Sequence, residues 1–263
     1  MMKSSSRIGV GIAFLAVLIL FVPAGWADTL NGSSGGGWQA FPTTLNESGS
    51  PYWANRSFDG PNTNVGFLMT NTGAFAGSTL GPGALPFWGM SNGTADTSLF
   101  FQRGTTNLPH GSLLATFSGS AAGNSFGWYD TKHPNFLHTL FSGPAGPGQL
   151  GKTFVPSQSY GFFVHLSSGA TFYMQSGLNS VGDTAHQHFA IFTNAPGNPF
   201  ASFWLGVEDS VPGPFNIEGL GDYQDMFVEV TPASIPEPAT LSLFGTGLAG
   251  LIGFARRKRI PIA

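Results

Sequence analysis

The stretch YGFFVHLSSGATFYM, residues 160–174, decides the fold class. Two aromatic, apolar runs, 160–166 and 171–174, flank Ser167-Ser168-Gly169-Ala170, and that layout predicts a β-hairpin. Downstream, residues 186–193 alternate, with His186, His188, Ala190 and Phe192 on one face and Gln187, Phe189, Ile191 and Thr193 on the other. Residues 202–207 and 226–230 read as two more strands. Upstream, 65–70, 98–101, 112–117, 125–129 and 137–141 read the same way. Asp59-Gly60-Pro61 and Gly81-Pro82-Gly83 are turn signals, and 143–148, rich in Gly and Pro, reads as a loop. Strands at intervals of roughly ten residues predict an all-β antiparallel sandwich or jelly roll. The composition agrees: 38 Gly and 19 Pro interrupt short apolar runs, and helix formers gather only at the two ends. One domain is expected over 38–232, with a candidate seam near 104–108, preceded by a flexible lead-in over 28–37.

Both ends read as export signals. Lys3 and Arg7 precede an apolar run over 8–22, Pro23 breaks it, and Gly25 and Ala27 stand at −3 and −1 of a cut after Ala27. That is the layout of a signal peptide, a substrate of signal peptidase. The run is short for a retained membrane anchor. At the other end Pro236-Glu237-Pro238 is a rigid break. The 17 uncharged residues 239–255 follow, then Arg256-Arg257-Lys258-Arg259. An apolar segment of that length is at the lower limit for a transmembrane helix, and the basic cluster would stay cytoplasmic, leaving the bulk of the chain outside. Gly245, Gly247 and Gly250 match a dinucleotide-binding pattern, but they lie inside this apolar segment with no strand before them. Glycine there lets helices approach closely in lipid.

Pro236-Glu237-Pro238, the Gly- and Leu-rich apolar segment and the terminal Arg256, Arg257, Lys258, Arg259 cluster together resemble the PEP-CTERM sorting tail. The resemblance implies recognition by an exosortase, cleavage near residues 236–238, transient retention in the inner membrane, and a destination at the cell surface or in exopolysaccharide matrix. Residues 125–230 also resemble an exported all-β domain of no established activity that is often placed ahead of such tails. The likeness is carried by Gly127-Trp128-Tyr129-Asp130, Tyr160-Gly161-Phe162, Gln187-His188-Phe189 and the closing Glu208-Asp209 and Asp222-Tyr223-Gln224-Asp225. Pro212-Gly213-Pro214 departs from that family's loop.

Charge and cysteine narrow the functional classes. Six of the ten basic residues sit at the ends, and all 13 acidic residues lie between 28 and 238, against four basic ones. From residue 153 to 238 there are eight acidic residues and no basic one. Such a surface repels nucleic acid and anionic lipid and attracts divalent cations. The absence of cysteine excludes disulfides, thiolate metal sites and a cysteine nucleophile.

The densest carboxylate set is Glu208, Asp209, Asp222 and Asp225, with Asn216 and Glu218 between the pairs. Pairing of 202–207 with 226–230 would bring both acidic pairs to one sheet end, where hard oxygen ligands suit Ca2+. A polar turn in which Asp and Asn bond their own backbone is the simpler alternative. Ca2+ is the one cofactor the sequence suggests. His186-x-His188 would place two imidazoles on one strand face, but no third metal ligand is evident. Gly123-x-Ser125-x-Gly127 matches a nucleophile-elbow pattern without the helix that must follow it. Trp38, Trp53, Trp88, Trp128 and Trp204 would serve as a sugar-stacking platform if exposed, and as core if buried. No catalytic constellation emerges. The expectation is a non-enzymatic structural or adhesive surface protein, then a carbohydrate-binding module, with a secreted hydrolase a distant third.

Overall fold

A computed structural model describes residues 28–33, 36–45, 50–55, 64–70, 82–90, 95–104, 108–116, 122–143, 151–198, 201–210 and 221–233. The signal peptide, the sorting tail with its apolar segment, the turn at 59–61, most of the 143–148 loop, Asn216 and Glu218 lie outside the described residues. No helix among the described residues is long and apolar enough to cross a membrane.

Among the described residues, aromatic and β-branched runs punctuated by Gly and Pro form thirteen strands, as their composition favours. They are β1 (Thr29–Asn31), β2 (Gly37–Gln39), β3 (Phe87–Gly89), β4 (Phe100–Gln102), β5 (Leu108–Thr116), β6 (Ser125–Asp130), β7 (His133–Ser142), β8 (Lys152–Thr153), β9 (Ser159–His165), β10 (Thr171–Tyr173), β11 (Phe189–Thr193), β12 (Phe203–Val207) and β13 (Met226–Ala233). One antiparallel sheet runs β1-β4-β9-β6-β7, with β10 added to β9. The other runs β2-β3-β11-β12-β13-β5-β8. The all-β sandwich expected from sequence is therefore the fold. Both sheets draw strands from before and after residues 104–108, so the candidate seam is not a boundary.

The hairpin at 160–174 forms as read: Thr171 faces His165, Phe172 faces Val164 and Tyr173 faces Phe163. Gly169 takes φ +91° in its turn, a conformation that favours glycine. β12 and β13 pair antiparallel, with Leu205 opposite Val228. Two readings are corrected. Residues 65–70 form a helix, α1 (Val65–Thr70), not a strand. A short apolar run carries no usable periodicity, and the preceding Asn64 decides: its Oδ1 accepts the Phe67 N–H at 3.2 Å. Within the expected flexible lead-in, Thr29–Asn31 is an ordered strand. β1 pairs with β4, and Asp28 anchors it by accepting the Gly104 N–H at 2.8 Å and the Tyr160 hydroxyl.

Between the sheets lies a core of Phe101, Phe126, Phe141, Tyr160 and Phe162 from one side and Leu113, Phe189, Ile191, Leu205 and Val228 from the other. The outer face of the second sheet is covered too. Ala190, Phe192, Trp204 and Phe227 pack under Trp53, Val65 and Met69. Burial of five consecutive residues in β11 and in β12 follows from this three-layer arrangement. Phe162 lies 5.4 Å from Phe126, stacked, and 5.6 Å from Phe101, edge-on.

Phe162→Ala should cost about 3–5 kcal/mol in denaturant unfolding, whereas Phe136→Ala, at a side chain 70% exposed, should stay within about 0.5 kcal/mol. Gly127→Ala should also destabilise, because a Cβ there would stand 2.1 Å from the His138 carbonyl oxygen.

Candidate functional site

The end of the second sheet where β11 begins and β12 finishes carries most of the buried ionisable chemistry. The loop ahead of β11 is tied down residue by residue. Asn179 Oδ1 accepts the Tyr173 N–H at 2.8 Å. Gln187 Oε1 accepts the Asp96 N–H at 3.0 Å, and its amide donates to the Met174 carbonyl. Gly182, at φ +102°, turns the chain so that Asp183 points back at the two histidines that follow.

His188 is 1% exposed and stacks on Phe172 with ring centroids 3.9 Å apart. Its Nδ1 donates to the Glu208 carbonyl at 2.9 Å, and its Nε2 lies 3.1 Å from Asp183 Oδ2. The same carboxylate meets His186 Nδ1 at 3.1 Å. Burial pushes the Asp183 carboxyl up, but the hydrogen bonds and positive charge of His188, and then of His186, outweigh it and leave its pKa lowered. Asp183 is therefore an ionised acceptor that faces both rings. The alternation expected over 186–193 holds only from Phe189. His186 and His188 precede the strand and converge on Asp183.

The four predicted calcium ligands do meet at one end of β12 and β13. Glu208 and Asp222 are buried. The Asp209 N–H donates to Asp225 Oδ2 at 2.7 Å, and Asn124 donates to Asp209 Oδ2 at 2.8 Å. Ser210 donates to Glu208 Oε1 at 2.7 Å. Among the described residues, however, no three His, Asp or Glu side chains are arranged to hold a metal ion. The carboxyls meet donors and one another. Burial first, then the charges of Asp225 and Asp222, push the Glu208 pKa well up. Burial first, then Asp209, does the same to Asp225. Both therefore keep their protons to higher pH than an exposed carboxyl would.

A cavity of about 170 Å3 opens beside this cluster, lined among others by Tyr52, His186, Glu208 and Tyr223. Tyr223 sits at φ +56°, a strained conformation for a bulky residue, and its hydroxyl donates to the Gln187 carbonyl. Its ring meets Tyr52 edge-on at 5.4 Å.

The other sequence candidates fall elsewhere. Trp53, Trp88, Trp128 and Trp204 are buried, and Trp38 packs against Trp88 and Phe203. They make core, not a platform. Ser125 opens β6, with strand and not helix behind it. Asp183 was not singled out in sequence; its only signal was the D-x-x-H-x-H spacing ahead of an apolar strand.

Residues 234–259 match the PEP-CTERM protein-sorting motif. The tail thus carries a PEP-CTERM sorting motif, and that motif implies export and exosortase processing. Comparison with curated proteins and with solved structures returns no match for the chain.

Two pH effects of opposite sign follow. Glu208 and Asp225 have raised folded pKa values, so their contribution is present below their ordinary values and is lost as pH rises through the raised ones. Asp183, lowered from 3.8, contributes above about pH 4 and loses that contribution as pH falls further. Thermal melts across pH should therefore show greatest stability in mild acid, and Glu208→Gln should flatten the decline toward alkaline pH. Asp183→Leu, which strips the buried His188 ring of its Nε2 partner, should cost about 1–3 kcal/mol in the same melts.

Proposed function

We propose that the chain is a non-catalytic structural or adhesive protein of the cell surface or its surrounding matrix, delivered there by cleavage at both ends. The observation that carries the reading is the sorting motif at 234–259, directly behind a strand that pairs up to Ala233. Supporting it, the tryptophans are spent on packing, and the acidic cluster is engaged with its own donors rather than arrayed across an open cleft. A cut after Ala27 would leave Asp28 at the start of the mature chain, where its carboxylate already accepts from Gly104 and Tyr160.

Mass spectrometry of the surface-extracted protein should find a mature start at Asp28 and an end near 236–238. Replacing Arg256, Arg257, Lys258 and Arg259 with Gln should leave unprocessed chain in the membrane fraction. A surface form that still contains residues 1–27 or 239–263 would refute the reading.

A further inference from the structure

We propose that the cavity between the His186 loop and the end of β12 is a binding site for a neutral, hydroxyl-rich ligand, a single sugar unit of an extracellular polysaccharide. The proposal rests on the reading that the exported chain works among such polymers, and it gives that reading a site.

Size comes first. A water needs roughly 10–15 Å3 of such volume, so about 170 Å3 holds roughly ten water-sized groups, the scale of one pyranose ring. Chemistry comes second. Glu208 lines the cavity and is 3% exposed, its Oε1 accepts from Ser210, and its Oε2 is buried without a hydrogen-bond partner. A buried polar atom left unpaired is costly, and a rotation of the carboxyl that turned Oε2 toward a ligand hydroxyl would remove that cost. At the mouth, His186 is 35% exposed and its Nδ1 is fixed by Asp183, which leaves Nε2 as the nitrogen available to a ligand. On the third side, Tyr52 and Tyr223 give their hydroxyls to the carbonyls of Trp88 and Gln187, so they offer the cavity ring surface rather than OH groups. Ring surface with a few converging donors and acceptors is how proteins hold sugars: apolar faces meet C–H groups and polar groups meet hydroxyls.

Other ligand classes fit worse. An anion would face Glu208 with Asp222 and Asp225 behind it. A divalent cation lacks three assembled ligands among the described residues. An organic ammonium would need an ionised Glu208, which its burial and its acidic neighbours oppose.

The test uses the exported full-length chain with its histidine ring NMR signals, His186 being assigned by comparison with His186→Ala. Methyl glucoside, methyl galactoside and methyl mannoside are titrated separately, with CaCl2 and ethylammonium chloride as comparisons. At least one glycoside should shift the His186 signal saturably, with a dissociation constant on the order of 1 mM, as expected for one small polar ligand. Tyr52→Leu should weaken that binding at least tenfold. Ser210→Ala, which removes only a hydroxyl at the cavity wall, should keep the fold and alter the affinity by freeing Glu208 Oε1. No shift with any glycoside up to 100 mM overturns the proposal. So does a response to CaCl2 or ethylammonium alone, or glycoside binding left intact by both Tyr52→Leu and Ser210→Ala. Processing at both ends is measured independently, so a failure here leaves the surface assignment standing, and a failure there does not explain a result here.

Discussion

β11 and β12 must be covered on both faces, and most of the molecule follows from that. Phe189, Ile191, Phe203, Leu205 and Val207 turn toward the first sheet, while Ala190, Phe192 and Trp204 turn the other way. A strand apolar on both faces cannot end a two-layer sandwich with one face in water. The segment containing Trp53 and the short helix α1 supply the third layer, and Trp53 reaches both Phe87 and Phe192 at ring distances near 5 Å. A domain with no cysteine to staple it thus draws its stability from two aromatic cores sharing one sheet.

Covering a sheet twice concentrates the polar problem at its ends. Where β11 starts and β12 stops, the chain must turn while its neighbours remain buried, and every backbone and side-chain polar group there needs a partner. Asp183, His188 and the Glu208 main chain meet that need as a unit. Both ring nitrogens of His188 are engaged, and Glu208 N–H returns a bond to the His188 carbonyl at 3.0 Å. Opposite shifts meet within this one sheet end: burial, reinforced by neighbouring carboxyls, raises Glu208 and Asp225, whereas at Asp183 two imidazoles outweigh burial.

What could be read in advance was whatever repeated along the chain. The 160–174 hairpin, the alternation from Phe189 and the pairing of β12 with β13 are local or nearly so, and period and turn chemistry expose them. Residues 65–70 were not legible as a helix, because a run buried throughout Val65–Met69 satisfies either period, and a single Asn64 side chain settles the choice. β1 was hidden in a Gly/Ser-rich stretch because its order comes from Gly104 and Tyr160, more than 70 residues away. Glu208, Asp209, Asp222 and Asp225 were placed together by strand pairing, but whether they hold a cation or protons turns on angles and neighbours that no spacing records. Asp183 escaped for the same reason. A lone Asp before two histidines is common, and only Gly182 and the loop bonds aim it.

The last strand links this architecture to the tail. β13 lies inside its sheet, hydrogen-bonded to β12 on one side and to β5 on the other, and its pairing with β5 runs from Met226 opposite Thr116 to Ala233 opposite Leu108. The sorting motif begins at the next residue. A cut near 236–238 therefore removes none of the residues paired in β13. While the tail is still held in a membrane, any pull on it enters along β13 and loads two ladders of antiparallel bonds together, in shear. An edge strand such as β8 could be peeled one bond at a time; a central strand pulled lengthwise must break many bonds at once. The strand order thus suits a domain that hangs from its C-terminal end, for however long that attachment lasts.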